Sequence, residues 1–360
     1  MTDFMKDIKK RNLPPVVPLG MTKDKWAQHR QEIIDLFSRE VYGYTPPLPH
    51  NLCARPISHD PDAWAGKAHH HNISLELSIS QGKFAFPVDI VLPKCEEELP
   101  MIIYISFEQY PCGLFCPIEE IVDNNYALAV INYNSVTSDE DDNFVSGIAN
   151  KYCRADDDGS MWGKISMWAW AASRVMDYAK TLSCIDHNRI FVVGHSRLGK
   201  AALWCAAQDT RFAGAGVNNS GCSGIAINRG KEGEQIADIV RVFPYWFCKN
   251  YHKYADKDFD MLFEQSMLAA AIAPRLLAVS TAKEDTWADP KSEYISLVEA
   301  DAAYNLLGVS GLDAPLDVMP QAGTRYTNGN IAFDLRTGAH FLSRHDWIFY
   351  MDYFRKYFAK

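Results

Sequence analysis

Residues 191–207 read FVVGHSRLGKAALWCAA. An apolar, β-branched run ends at Gly194, and an Ala- and Leu-rich helical pattern begins by Leu198. Between them His195, Ser196 and Arg197 occupy a sharp strand-to-helix turn. A serine hydroxyl is a weak nucleophile, so a chain that uses one must hold it exposed, where a histidine can take its proton. The start of a helix directly beyond it supplies backbone N–H groups and the positive end of the helix dipole, both suited to a developing oxyanion. Gly194 and Gly199 flank the turn, where Cβ atoms have little room.

A strand, a tight turn carrying serine and then a helix form the nucleophile elbow of the α/β-hydrolases, usually written G-x-S-x-G. Here the string is G-H-S-R-L-G-K, with the second glycine one place late. A serine at such a turn also caps helices, so its partners decide the reading. The apolar run Leu276 to Ser280 is followed by TAKEDTWADP, and an acid just past that strand is where the fold places its triad carboxylate. Asp285 is the first choice. Glu284 and Asp289 are the alternatives, although Asp289 before Pro290 has the character of a helix N-cap. The strand IAFDLR, residues 331–336, leads into TGAHFLSRHDW, and His340 lies on that connecting loop. His345 competes, but it falls at the start of the next helix, where a structural role is the simpler expectation. Ser196, Asp285 and His340 follow the chain order of the fold's triad.

Outward from the turn, MIIYISF, YALAVINY, RIFVVG, AGAGVN and RLLAVST are short, nearly all-apolar runs that suit parallel strands buried on both faces. Helical patterns lie between them, the clearest being SMWGKISMWAWAASRVMDYAKTL at 160–182, and RHDWIFYMDYFRKYF at 344–358 forms the last helix. This alternation predicts an α/β-hydrolase fold, a three-layer sandwich around a mostly parallel sheet with right-handed crossovers. NISLELSIS and FPVDIVLP alternate as half-buried strands. Before them, an extended Pro-rich lead-in precedes TKDKWAQHRQEIIDLFSREVYG, an amphipathic helix with Thr22 as N-cap and Gly43 as stop. No internal repeat or linker divides the chain, so one domain is expected over residues 1–360, with 1–60 an N-terminal extension holding that one helix. His69, His70 and His71 are expected in a solvated turn before NISLELSI.

Hydrophobic residues make up 48% of the chain and charged residues 22%, the profile of an ordinary globular protein. The net charge of −9, with no basic block, argues against nucleic acid and anionic membranes as partners. No 18-residue apolar run is present. The opening MTDFMKDIKKRNLPPVV lacks the apolar core and cleavage site of a secretory leader, so a cytoplasmic enzyme is expected, or a secreted one if a leader has been removed. The nine cysteines are scattered and are expected to be mostly reduced. Cys112 and Cys116 have no neighbouring Cys or His pair, so a zinc site is not expected there. The chemistry calls for no metal or organic cofactor, and nothing in the sequence specifies an oligomeric state.

The chain resembles the glucuronoyl esterases of carbohydrate esterase family fifteen and their bacterial relatives often labelled acetyl xylan esterases. The resemblance runs from about Trp26 to the end and rests on GHSRLGKAALW, NNSGCSGIAINRGKEGE, FPYWF, AAAIAPRLLAVS, EDTWADP and GAH. It implies that Ser196 is the nucleophile and His340 the base, with Arg197 turned toward the oxyanion hole. It also implies that Lys200, one helical turn from Ser196, hydrogen-bonds sugar hydroxyls, while Glu234 and Trp287 grip the uronate's hydroxyls and ring. The plainer alternative makes Lys200 and Glu234 a surface ion pair and packs Trp287 into its loop.

There is one departure from the family pattern. Many members carry the triad acid in a Glu-Ser-Gly sequence after the strand that follows the nucleophile helix. Here VNNSGCSG puts Asn219 at the matching position. An amide can orient His340 but cannot offset an imidazolium charge, so the acid role falls to Asp285. The implied activity is hydrolysis of carbohydrate esters, first those of glucuronic acid or its 4-O-methyl ether, with deacetylation of acetylated xylo-oligosaccharides as the second expectation. A catalytically silent carbohydrate-binding protein is the third, and it rests on Asn219 alone.

Overall fold

The all-apolar runs form the centre of a ten-stranded sheet in the computed structural model, which describes residues 1–108, 114–153 and 158–358. The strands are β1 (Asn51–Asp62), β2 (Ala68–Ile79), β3 (Gly82–Pro93), β4 (Leu99–Ser106), β5 (Ala127–Asn132), β6 (Ile185–His195), β7 (Gly214–Asn218), β8 (Leu276–Ala282), β9 (Thr324–Tyr326) and β10 (Ile331–Arg336). Their spatial order is β1-β2-β3-β5-β4-β6-β7-β8-β10-β9. The pairs from β5 across to β10 are parallel, while β1, β2 and β3 at one edge and β9 at the other pair antiparallel. The chain leaves β4 for β5 on one side and returns to β6 on the other. Such a reversal opens a crevice beyond the carboxyl ends of the strands, and β6 ends there at His195.

The apolar runs are nearly continuous because each central strand feeds two cores. Met101, Ile103 and Ile105 of β4 face one layer, and Ile102 and Tyr104 face the other. In β6, Ile190 and Val192 alternate with Phe191 and Val193 in the same way. The helices Lys164–Ala179, Arg197–Gln208 and Pro290–Leu307 cover the first face through Trp168, Leu203 and Tyr294. The helices Ile118–Asp123 and Arg344–Phe358 cover the second through Ile121, Trp347 and Tyr350. Two helical layers enclosing a mostly parallel sheet make the three-layer α/β-hydrolase sandwich.

The N-terminal region differs from the sequence expectation in four places. A helix forms over Asp3–Arg11, where the Pro-rich character further on suggested extended chain. Its Thr2 side chain caps Met5 N–H, and Phe4, Ile8 and Arg11, spaced for one helical face, are buried. The helix after Thr22 starts as a 3₁₀ turn over Lys23–Lys25, without a side-chain cap, and becomes α-helical at Trp26. Residues 51–60 are not an extension at all, because β1 runs along the edge of the sheet. His69, His70 and His71 lie within β2 rather than in a turn. His70 bonds Asp89 of β3 at 2.7 Å, while His71 stacks on its cross-strand partner His59 at 4.2 Å. Cross-strand pairing overrides the polar character that suggested a turn.

The segment before the sheet belongs to the main core. Tyr42 is fully buried, stacks on Trp204 of the helix Arg197–Gln208 at 4.3 Å, and donates its hydroxyl to Ser223 O at 3.0 Å. Gly43 then turns the chain with φ of 80°, where a Cβ would lie 2.2 Å from Trp162 Cα. No helix among the described residues is long and apolar enough to cross a membrane. Cys112 lies outside the described residues.

Candidate active site

At the carboxyl end of β6, Ser196 adopts φ 57° and ψ −127°, a strained conformation outside the regions L-residues favour. The strain is held from both sides. Ser196 N–H donates to Asn218 O at 2.9 Å, and Lys200 N–H donates to Ser196 O at 3.1 Å as the helix begins. The crossing of strand and helix requires glycine at 194 and leaves little room at 199. A Cβ on Gly194 would lie 2.1 Å from Leu198 O, and one on Gly199 would lie 3.1 Å from Asn218 O. The first N–H groups of the helix, those of Arg197 and Leu198, fall outside the intrahelical ladder and are the natural oxyanion donors.

His340 stands on the loop after β10, and its Nδ1 lies 2.6 Å from Asp285 Oδ2 on the loop after β8. Asp285 is buried, whereas the His340 side chain is 43% exposed and therefore open to a substrate. The two loops are stitched together by Lys283 N–H to Arg336 O at 2.8 Å and Glu284 N–H to Gly338 O at 3.1 Å. The His340 ring packs on that of His195, the residue before Ser196, with centroids 4.5 Å apart. His195 is buried, and burial together with its neighbour His340 pushes its pKa down to about 3, so this ring stays neutral.

The alternative residues lie elsewhere. Glu284 is exposed and meets the His340 loop through its backbone. Asp289 caps the helix Pro290–Leu307 through Ser292 N–H at 3.2 Å and accepts Glu232 N–H at 2.9 Å. His345 bonds Asp334 Oδ2 of β10 at 2.8 Å. Asn219 turns its Oδ1 to Ala282 N–H at 3.0 Å, bracing β7 against β8.

Arg197 is held by Asp139, which also accepts Trp246 Nε1–H at 2.7 Å. The guanidinium lies 4.9 Å from the Trp246 ring centroid, 5.4 Å from Phe243 and 5.6 Å from Phe107. An aromatic cage around a paired cation fixes its direction while leaving donors for an anion. The loop bearing Asp139 is pinned by fully buried Lys164, whose Nζ reaches Asp142 Oδ1 at 2.7 Å and Glu140 O at 2.6 Å.

Lys200, Glu234 and Trp287 form a third group. Lys200 is buried and donates to Ser220 O and Cys222 O, each at 2.6 Å, with Glu234 Oε2 3.5 Å away. The pair is shielded rather than on the surface. Trp287 is 57% exposed, so its ring does not pack into the loop, and its carbonyl accepts Glu234 N–H at 3.0 Å. The exposed indole and the buried ion pair thus adjoin through the backbone.

Several residues of the site carried no local sequence signal. Asp139, Asn218 and Asp346 act through partners distant in the chain, and Arg336 through Asp346 and the loop that follows it. Trp246 and Phe243 stand out only as an aromatic cluster, FPYWF.

Residues 75–308 match the model of the family described as glucuronyl esterase, fungi. The chain belongs to the glucuronoyl esterase family. Among curated relatives of this glucuronoyl esterase family member, a carbohydrate esterase, MZ0003, from an unknown prokaryotic organism is 40% identical over 240 residues, covering 66% of this chain and 54% of that protein. A 4-O-methyl-glucuronoyl methylesterase of Podospora anserina is 27% identical over 300 residues, covering 80% of this chain and 57% of that protein. The chain thus spans little more than half the length of either relative. Among solved structures, a glucuronoyl esterase from Solibacter usitatus superposes with a TM-score of 0.88 at 29% identity, covering 95% of this chain and 97% of that one. A promiscuous esterase of family fifteen from a marine bacterial metagenome gives 0.84 at 30% identity, covering 95% and 96%.

Proposed function

We propose that this family member is a serine carboxylic-ester hydrolase that cleaves esters of glucuronic acid or its 4-O-methyl ether. One observation carries the reading: the 2.6 Å contact between His340 and buried Asp285, with the His340 ring packed at a tilt on His195, the residue before the strained Ser196. In this mechanism His340 Nε2 takes the Ser196 hydroxyl proton as Oγ attacks the ester carbonyl. Asp285 holds Nδ1–H and offsets the imidazolium charge that forms. Backbone N–H groups of the helix start and the Arg197 guanidinium receive the oxyanion. His340 then passes its proton to the departing alcohol, and water frees the acyl-enzyme by the same steps in reverse.

The substrate class follows from what surrounds the nucleophile. A caged arginine, the Lys200–Glu234 pair and the exposed Trp287 indole suit a sugar acid with hydroxyls and a ring face. A bare acetyl group gives them nothing to hold. The names of the relatives agree, and xylan side chains are a polymer context that bears such uronates.

The test compares hydrolysis of benzyl glucuronate and 4-nitrophenyl acetate by the wild type, with Ser196→Ala as control. The expected result is a kcat/KM on the glucuronate above about 10³ M⁻¹s⁻¹, well ahead of the acetate, and at least ~10⁴-fold lower in Ser196→Ala. Turnover of acetate alone would replace the uronate reading with deacetylation. Silence on both esters would leave a carbohydrate-binding protein without catalysis.

A further inference from the structure

A row of polar side chains crosses the sheet beneath the site. His195 of β6, Asn218 of β7 and Ser280 of β8 are consecutive partners in strand register at the carboxyl rim, and all three are buried. Asn218 Nδ2 donates to Ser280 O at 3.1 Å, a carbonyl that can only accept. Asn218 Oδ1 therefore faces His195 Nδ1 at 2.6 Å, and His195 must carry its hydrogen on Nδ1. The tautomer of this ring is fixed by the neighbouring strand, and its face meets the His340 ring at 4.5 Å.

The row does not stop at Ser280. Its hydroxyl donates to Asp346, a fully buried carboxylate in the first turn of the helix Arg344–Phe358. Asp346 also accepts Ser343 N–H at 2.7 Å and Arg336 Nε–H at 3.0 Å. Arg336 closes the circuit. Its guanidinium donates to Thr337 O at 3.0 Å, to Ala339 O at 3.3 Å and to Phe341 O, the carbonyls on either side of His340. One end of the network touches the residue before Ser196. The other grips the backbone that carries His340.

We propose that Arg336 and Asp346, tied through Ser280 and Asn218 to His195, are positioning residues that set the His340 loop in register with the Ser196 elbow. This rests on the esterase reading for its kinetic readout only. A loop of five residues, 337–341, bearing the base would otherwise sample many backbone states, and a displacement of the base by about 1 Å costs on the order of 10²-fold in rate. A planar guanidinium holding several carbonyls supplies directional constraint that an ammonium cannot reproduce.

The experiment uses Arg336→Lys, Arg336→Ala and Ser280→Ala in the full chain. Two readouts are taken: kcat and KM on benzyl glucuronate, and the downfield ¹H NMR resonance of the His340 Nδ1–H, assigned by its loss in His340→Ala. The expected result for Arg336→Lys is a kcat lower by ~10²-fold with KM within about threefold of wild type, and a shifted or broadened resonance. Added methylguanidine should restore at least about tenfold of the activity lost in Arg336→Ala, which a purely structural loss would not allow. Ser280→Ala, a milder cut, should lower kcat by about 3–10-fold and move the same resonance. A folded Arg336→Lys with wild-type kcat and an unmoved resonance overturns the proposal. Should Arg336→Lys not fold, an unchanged kcat and resonance in Ser280→Ala overturns it instead. A wild type that turns over no ester, yet loses the resonance in Arg336→Lys, retains the positioning role and removes the esterase reading.

Discussion

Asp285 is the first choice for the triad acid and Asn219 stands where many family members carry it, and the structure gives the two residues different work. Asp285 meets His340, while Asn219 braces β7 on β8 through Ala282 N–H. Asp285→Ala should therefore lower kcat/KM by ~10³–10⁴-fold, because His340 loses both its orientation and its counter-charge. Asn219→Ala should cost on the order of 1 kcal/mol of stability from one buried hydrogen bond and leave kcat/KM within about threefold. Parallel kinetics and urea titrations on the two variants check this pair of outcomes. Comparable kinetic losses in both would give Asn219 a share in orienting His340. The elbow at Ser196 and the loops that carry Asp285 and His340 were legible in the sequence because each follows a strand with a clear apolar run, whereas the choice among Glu284, Asp285 and Asp289 was not. Asp139, which holds Arg197, was not legible, since nothing near residue 139 announces a partner at residue 197.

Among the elements, the helix Pro290–Leu307 carries an unusual group. Glu293, in its first turn, is fully buried and accepts Gly221 N–H at 2.8 Å. Burial, reinforced by the nearby Asp285 charge, raises its carboxyl from 4.5 to about 7. The folded protein thus holds a proton there that the unfolded chain releases near pH 4.5. The resulting stabilisation is fully present below pH 4.5 and is lost as pH rises to about 7, by on the order of 3 kcal/mol. His195 acts in the opposite sense. Its depressed pKa, about 3 against 6.5, gives stability that is present above pH 6.5 and lost on acidification. Glu293→Gln should remove the first slope and keep the second, so its stability relative to wild type should grow between pH 5 and pH 8. Denaturant midpoints at those two pH values measure it, and parallel curves for both proteins would refute the assignment. The helix itself was expected from its N-cap Asp289. A buried carboxyl within it was not, because burial depends on what the β7–β8 connection lays across that turn.

At the scale of the whole molecule, the N-terminal segment and the elbow helix share one core. Phe37, Tyr42 and Trp204 are buried together, and Tyr42 meets Phe37, Trp204 and Phe247. Tyr42→Ala should cost about 3–5 kcal/mol, since it removes a large buried ring and leaves a cavity against Trp204. Below its lowered melting temperature, the variant should retain the wild-type kcat, because Tyr42 packs on Phe37, Trp204 and Phe247 and bonds Ser223 O, away from Ser196, Asp285 and His340 in the chain. A calorimetric scan paired with kinetics at low temperature tests both halves. An unchanged melting temperature would mean that the segment only lies on the surface of the core.

The sequence by itself determined the alternation of apolar strands and helices, the elbow at Ser196 and the order of its partners. These are local properties: an all-apolar strand, a tight turn and a helix start each write their requirement into adjacent residues. Tertiary structure decided which acid faces His340, which residues hold Arg197, and how the His340 loop is tied to the elbow. It also decided that His69 to His71 belong to a strand and that Asp3–Arg11 forms a helix. Those outcomes come from groups brought together by sheet register and packing, as with the row from His195 through Asn218 to Ser280. A hydrogen bond between residues separated by 66 positions, such as Ser280 to Asp346, leaves no trace in the neighbourhood of either.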